Sequence, residues 1–438
     1  MKKYTKKTVK AQQTSINYDF EGTTITSFGG LLVVRNFLQK CGLFDKFAES
    51  FTDRRSNALK FANLQIVMLV LYGKLCNIGR ILHLENFSHD CLVQKLLQLP
   101  GFISDQVISS RLKKMGSDGV NKLKHILQTT ANQTLRQQQV KKLVIDCDST
   151  VNTVYGNQEQ AKKGYNPKYK GFKSYHPLIA FAEEHKLVLN TEFRSGDAFT
   201  SQGICEFADQ IAQNLPTSAK DVTFRADSGF FDGDLFEKLE NLNWRYLVKV
   251  RRRNLEDWLK TRDWHKDHKD SNYAYCEFVY QAKGWSKSRK IIAVRKFERI
   301  VDNVILGQSV GFDIEYSYFA YCTDLDISGE EAVSFYCQRA TSENWIEQVK
   351  NQLCGAVTLT NQFEANAMLW MISALAYNIS VMMRIGDKHS FRQEHKTFRE
   401  WFIKIPGLMM IKNKQLLLRI DKHYYFKERW LALATLSA

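Results

Sequence analysis

The run Val144-Ile-Asp-Cys-Asp-Ser-Thr-Val151 decides how the rest of this chain is read. Its apolar and β-branched residues suit a buried strand, and the two-residue period of a strand turns Asp146 and Asp148 to one face. Two carboxylates at the end of an apolar run are costly to take out of water unless a metal, a cationic partner or open solvent faces them. That leaves two readings, a metal-binding strand or an exposed strand end whose Asp-Ser-Thr begins a turn. Residues further along the chain bear on the choice.

The chain has 438 residues, 44% of them hydrophobic and 12% aromatic, enough for two or three domains with real cores. Lysine and arginine number 62 against 46 aspartates and glutamates, a net charge of +16. Such a surface suits a polyanionic partner, of which nucleic acid is the commonest, although a basic protein with solvated charges has the same balance. The nine cysteines are scattered from Cys41 to Cys354 with no Cys-x-x-Cys, which fits a reducing cytoplasm and neither disulfides nor a structural zinc site. The N-terminus runs into polar residues instead of a signal peptide, and the apolar run at 64–72 is too short to cross a bilayer. A cytoplasmic protein without membrane contact is expected.

Residues 1–20 carry five lysines and one aspartate and read as a basic arm, able to lie on phosphates or simply to be solvated. From 27 to 138 the apolar period is helical. Within it, 104–114 and 120–137 form two predicted helices with basic polar positions, either a helix-turn-helix-like DNA reader or an ordinary bundle with charged outer faces. At Lys141 the period changes to two. Strands are expected at 143–147, 175–182, 187–193, 222–226 and 244–250, with helices at 201–214 and 232–242, which is the order of an α/β sheet. A β-rich insertion over about 251–311 follows, with strand-like pieces at 273–280, 290–297 and 303–306. Then come a strand at 316–322, one periodic helix at 328–353, an apolar helix at 363–384 and a helical tail to 438. The expected division is 1–140, an all-helical DNA-binding region; 141–353, the catalytic core with its insertion; and 354–438, a C-terminal helical region.

The second stretch that carries chemistry is Phe224-Arg-Ala-Asp-Ser-Gly-Phe230, again an apolar strand ending in a carboxylate, here Asp227. Two strands of one sheet could present Asp148 and Asp227 at the same edge. The third is the predicted helix holding Tyr336, Arg339, Glu343 and Lys350. Their offsets of 3, 4 and 7 place them within an arc of about 60°, beside an apolar stripe of Phe335, Ile346, Val349 and Leu353. A solvated face with helix salt bridges is the plain alternative. Against it, the helix follows a buried strand and would pack beside two carboxylate-bearing strand ends. Three converging carboxylates repel unless a divalent cation neutralises them. Oxygen ligands without His or Cys point to Mg²⁺, with Mn²⁺ able to substitute. Two such ions about 4 Å apart would activate a water or a 3′-hydroxyl at a phosphodiester.

Taken together, these motifs resemble the DDE transposases of bacterial insertion sequences, in the branch with a Tyr-(2)-Arg-(3)-Glu-(6)-Lys helix. Asp146-Cys-Asp-Ser-Thr-Val151, Gly156-Asn-Gln-Glu-Gln-Ala-Lys-Lys-Gly-Tyr-Asn-Pro-Lys168 and Arg225-Ala-Asp-Ser-Gly-Phe-Phe-Asp232 are similar to the insertion sequence thirteen-eighty family in particular. The likeness covers about 141–385, and more weakly the helical region before it. It implies a ribonuclease-H-like core with a β-rich insertion and Asp148, Asp227 and Glu343 as the catalytic, metal-holding acids. Asp148 is favoured because the family's first acid precedes a small residue and then Thr; Asp146 remains a competitor as metal ligand. Tyr336, Arg339 and Lys350 would contact DNA phosphates near the scissile bond, and Arg251, Arg252 and Arg253 would lie near DNA unless they are a solvated run. The implied enzyme is nucleoid-associated, binds the terminal inverted repeats of its element, cleaves there and joins the 3′-hydroxyls to target DNA. Its partner is double-stranded DNA, and pairing two ends calls for a homodimer. A stand-alone Mg²⁺ nuclease of the same fold and a catalytically silent DNA-binding protein are the rivals. No Gly-x-x-x-x-Gly-Lys-[Ser/Thr] occurs, so no ATP dependence is expected. Asp263, Trp264-His265, Asp267 and His268 lack thiolates and read as a polar loop rather than a zinc site.

Overall fold

In the computed structural model, which describes residues 24–52, 60–267, 270–305, 308–412 and 415–435, the quoted stretch forms strand β1 (Lys142–Ser149) inside a nine-stranded sheet. The other strands are β2 (Leu178–Ala182), β3 (Leu187–Glu192), β4 (Asp221–Ala226), β5 (Arg245–Lys249), β6 (His265–Lys266), β7 (Tyr273–Tyr280), β8 (Arg289–Ile305) and β9 (Gln308–Thr323). Their order across the sheet is β6-β7-β8-β9-β5-β4-β1-β2-β3. Strands β1, β4 and β5 run parallel, and all other neighbours are antiparallel. Parallel neighbours need crossovers, supplied here by the helices Ile204–Asn214 and Gly233–Asn241. The central strands are covered on both faces: Leu143, Ile145, Cys147, Val222 and Phe224 are buried on one, and Asp146, Thr223 and Arg225 on the other.

The predicted insertion is not a set of separate short pieces. The segments expected at 290–297 and 303–306 are one 17-residue strand, β8, carried past its charged residues by register shifts at Phe297/Arg299 and Asn303/Val304. Its partner β9 runs on beyond 311 until Tyr321–Thr323 pair with Leu247–Lys249 of β5. The added strands therefore extend the central sheet.

Helices α1 (Asn63–Leu75) and α2 (Asp105–Gln137) precede the sheet, and α3 (Gly329–Cys337), α4 (Ala340–Glu347) and α5 (Phe363–Met382) follow it. The two helices expected at 104–114 and 120–137 are continuous as α2 except at Gly116, whose φ of +48° is open to glycine and strained for other residues. Helix α5 is mostly apolar and is buried from Ala365 to Val381. It packs on α1, α2 and β3. On edge strand β3, the Asn378 side chain accepts from the Val188 N–H and donates to the Val188 carbonyl, both at 2.8 Å, in place of a tenth strand.

One hydrophobic cluster joins Leu31 to Leu433 through α1, α2, the sheet and α5. The change of period at 141 is thus a change of element type with no gap in the core. The fully buried Lys74 reinforces the join by donating to the Cys354 carbonyl at 2.7 Å. The tail departs from the expected all-helical form: Gly407–Lys412 and Gln415–Arg419 form a hairpin that pairs with Ile25–Thr26. Leu and Met favour helices in isolation, but these runs are short, follow Pro406 and find a strand partner, so tertiary pairing overrides propensity. The basic arm expected at 1–20 lies outside the described residues.

Because the core is shared, a 141–438 fragment would expose the apolar faces of β3 and α5. It is expected to show no cooperative thermal transition by near-ultraviolet circular dichroism, whereas the full chain melts cooperatively; a fragment with a sharp transition would refute the shared core.

Candidate active site

Strands β1 and β4 pair in parallel with Asp146 opposite Arg225 and Cys147 opposite Ala226. Asp148 and Asp227 are the next residues, side by side at the C-terminal ends of neighbouring strands whose backbones lie about 4.8 Å apart. The two-residue period puts Asp146, Arg225, Asp148 and Asp227 on one face. Beyond Asp227 the strand ends in a short turn, Ser228–Phe230, capped by Asp227 Oδ1 accepting from the Gly229 N–H at 2.8 Å.

The helix expected over 328–353 lies on this face but is not continuous. Ser328 and Glu331 start α3 with a capping box. The segment after Tyr336 then tightens: the N–H groups of Arg339, Thr341 and Ser342 bond to carbonyls three residues back, at 3.0, 3.1 and 2.9 Å. After α4 it widens into a π-helical turn, Gln348–Gln352. A three-residue turn advances about 120° per residue and a π turn less than an α-helix, so the regular arc that aligned Tyr336 to Lys350 does not survive. Arg225 marks the point of tightening. Its Nη1 donates to the Phe335 carbonyl and lies 3.5 Å from Gln338 Oε1.

Arg339 Nη1 donates to Asp148 Oδ2 at 2.9 Å, and Asp148 Oδ1 accepts from the Ser149 N–H at 2.8 Å. The Tyr336 ring packs on Tyr321, centroids 4.8 Å apart, with the Arg339 guanidinium 5.8 Å from its own centroid. Lys350 Nζ donates to Thr150 Oγ1 and to the Val151 carbonyl, both at 2.8 Å, so two of its three donors hold the chain just past Asp148. Glu343 is exposed on α4, four residues after Arg339. Asp148, Asp227, Arg339 and Tyr336 are thus brought together, with Lys350 beside them. The expected gathering of three carboxylates is not formed: among the described residues no group of three His, Cys, Asp or Glu could hold a metal ion, and Arg339 provides the neutralising charge at Asp148.

Asp146, the competitor, has both oxygens engaged by Arg225, Nε to Oδ1 at 2.6 Å and Nη2 to Oδ2 at 2.9 Å, and neither side chain reaches solvent. Arg225 was not singled out from the sequence. The available signal was its position two residues before Asp227, matching that of Asp146 before Asp148. The Asp148 carboxyl is raised to about 6: burial pushes it up most, Arg339 pulls it back, and the neighbouring Asp227 adds to the rise. At Arg339, burial opposes the charge, but Asp148 and Tyr336 outweigh it and raise its basicity. Burial, and then the charge of Lys168, lower that of Lys350. Arg251, Arg252 and Arg253 are exposed just past the C-terminal end of β5, the same edge of the sheet; Arg252 donates to the Tyr280 hydroxyl at 3.0 Å. His265 is exposed on β6, and His268 lies outside the described residues.

A family model described as transposase DDE domain group 1 matches residues 8–437. No curated protein matches the sequence. Among solved structures, a piggyBac transposase synaptic complex with hairpin DNA is similar at 14% identity and a TM-score of 0.44, over 85% of this chain and 78% of that one. A Mos1 transposase paired-end complex with left transposon end is similar at 14% identity and a TM-score of 0.19, over 35% and 52% of the two chains.

Two measurements check the electrostatics. Arg225→Met strands Asp146 as a buried, unpaired charge and is expected to cost about 3–5 kcal/mol of stability in urea unfolding, most of it recovered by adding Asp146→Leu. The folded chain holds the Asp148 proton more tightly than the unfolded chain, so this contribution is favourable below about pH 4 and is lost as pH rises through about 6. The stability of the wild type relative to Asp148→Asn should therefore fall by up to about 3 kcal/mol between pH 4 and 7; a flat or rising difference would contradict the burial of this carboxyl.

Proposed function

The chain belongs to the transposases with a group 1 DDE domain, and from that membership we propose that it binds the terminal inverted repeats of its own element, cleaves at the element ends and joins the 3′-hydroxyls to target DNA. The observation that carries this reading is the in-register placement of Asp148 and Asp227 at adjacent parallel strand ends, with Arg339 closing on Asp148 from the same face. The order β3-β2-β1-β4-β5, antiparallel and then parallel, supports a ribonuclease-H-like core with β6 to β9 as its insertion.

Asp148, Asp227 and Glu343 are the proposed catalytic acids. Asp148 is preferred to Asp146 because Arg225 already engages both Asp146 oxygens in the interior. Asp148 and Asp227, one with a raised proton affinity, are the two neighbouring carboxylates that would hold a hard divalent cation, Mg²⁺ or Mn²⁺; Glu343, exposed on α4 and not gathered with them in the structure, would have to move in to serve as the third. Such ions, when bound, activate an attacking water or 3′-hydroxyl and stabilise the leaving oxygen. Arg339 offers a planar fork suited to phosphate as well as carboxylate, so a DNA phosphate can take over the guanidinium that now neutralises Asp148. Lys350 orients the chain end that carries Asp148 and keeps one donor for a phosphate. Tyr336 and the exposed Arg251, Arg252 and Arg253 extend this surface along double-stranded DNA, and the helical region up to residue 140 reads the repeats. A homodimer pairing two ends, and membership of the insertion sequence thirteen-eighty family in a bacterial nucleoid, complete the proposal.

Glu343→Gln keeps the side-chain volume and removes the charge. It is expected to abolish cleavage in Mg²⁺ while end binding, measured at fixed salt, stays within about twofold. Cleavage at wild-type rates would remove Glu343 from the site. A strand-transfer assay with pre-cut ends separates a transposase from a nuclease of the same fold, which would cut and fail to join.

A further inference from the structure

Directly after Thr150 the chain leaves the main sheet and forms a second, three-stranded one from Asn152–Thr153, Lys162–Lys163 and Lys173–Tyr175, with the last in the middle. The loops of this small sheet expose aromatic rings. Tyr155 is 76% exposed, Tyr165 70%, Phe172 46% and Tyr169 38%. Phe172 joins two of the others, edge-on to Tyr155 at 5.8 Å and to Tyr169 at 6.1 Å. Tyr155, Asn157, Lys170 and Phe172 help line an open hollow of about 400 Å³.

The surroundings are cationic. Lys162 is paired with Asp197 at 3.0 Å and Lys173 donates to Asn157 at 2.9 Å. Lys163, Lys168 and Lys170 are exposed and have no carboxylate partner among the described residues, and Lys168 sits 5.4 Å from the Tyr169 ring centroid. Clustered exposed rings are unusual on a protein surface unless something covers them. A protein partner is disfavoured here, because lysine is depleted from the cores of protein interfaces. Rings that stack bases, interleaved with lysines that hold a backbone, are the composition of a surface for unpaired nucleic acid. Its position fits: Thr150 and Val151, which Lys350 holds, are two of the three residues between Asp148 and this sheet.

We propose that Tyr155, Tyr169 and Phe172, with Lys163, Lys168 and Lys170, bind a stretch of unpaired DNA strand beside Asp148, bases stacked on the rings and phosphates on the ammonium groups. Its purpose rests on the transposase reading above, but its binding does not.

The test uses the full chain, a ten-nucleotide oligo-dT and an abasic strand of equal length, which keeps the phosphates and lacks the bases, in fluorescence anisotropy at fixed salt. The wild type is expected to bind oligo-dT at least about tenfold tighter than the abasic strand. Tyr155→Ala with Phe172→Ala should erase that preference and leave blunt-duplex binding and the melting temperature unchanged, while Tyr155→Phe keeps it. Lys163→Gln, Lys168→Gln and Lys170→Gln together should weaken both strands alike and reduce the salt slope by about 2. The proposal is overturned if the wild type shows no preference, if the double variant keeps it, or if the double variant instead loses self-association in sedimentation, which would make the patch a protein interface. Base preference that depends on Tyr155 and Phe172 in a chain whose Glu343→Gln variant still cleaves would sink the catalytic assignment and leave this surface standing. The converse result would remove only the surface.

Discussion

A single ion pair, Asp146 with Arg225, sets the constraint on which the rest of the site depends. Both side chains are withdrawn from solvent in the two central parallel strands. Burying two charges costs several kcal/mol each before their attraction is counted, so such a pair is weak evidence of net stabilisation. Its geometry ties together two features of the site. It holds β1 and β4 in the one register that sets Asp148 beside Asp227. The remaining guanidinium nitrogen also reaches the Phe335 carbonyl, where the helix tightens, and so fixes the turn from which Arg339 meets Asp148.

Two aspartates on the same face of one strand, two residues apart, end in opposite circumstances. Asp146 is shared with an arginine deep in the sheet and has no surface left to offer. Asp148 stands at the strand end, 13% exposed, with its proton affinity raised by burial and by Asp227. The charge that faces it in the structure is the Arg339 guanidinium. Lys350 anchors the residues immediately beyond, so the acid sits on a strand end with little freedom to swing away.

The packing is continuous through the described residues. Helix α5 runs through the centre and touches the N-terminal helices on one side and β3 on the other, with Asn378 completing the hydrogen bonding of the sheet edge. The N-terminal helix α2 also packs directly on β3, an edge strand of the sheet that carries Asp148 and Asp227.

Sequence alone determined the local elements with a clear period: the strand carrying Asp146 and Asp148, the strand ending at Asp227, the helical N-terminal region, the apolar α5 and the shift from helices to a sheet at 141. Each follows from side-chain alternation and turn chemistry within a few residues, which is why each was legible. Tertiary structure alone decided which acid is sequestered, because Asp146 and Asp148 are equivalent by period and differ only in having Arg225 or Arg339 opposite them. It alone joined the predicted insertion to the main sheet and turned part of the helical tail into a hairpin, since strand partners lie far away in sequence. It also broke the helix that seemed to align Tyr336, Arg339, Glu343 and Lys350. The regular 100° step describes a helix under no outside load, whereas this one is bonded at Phe335 by an arginine that arrives from a strand 110 residues earlier.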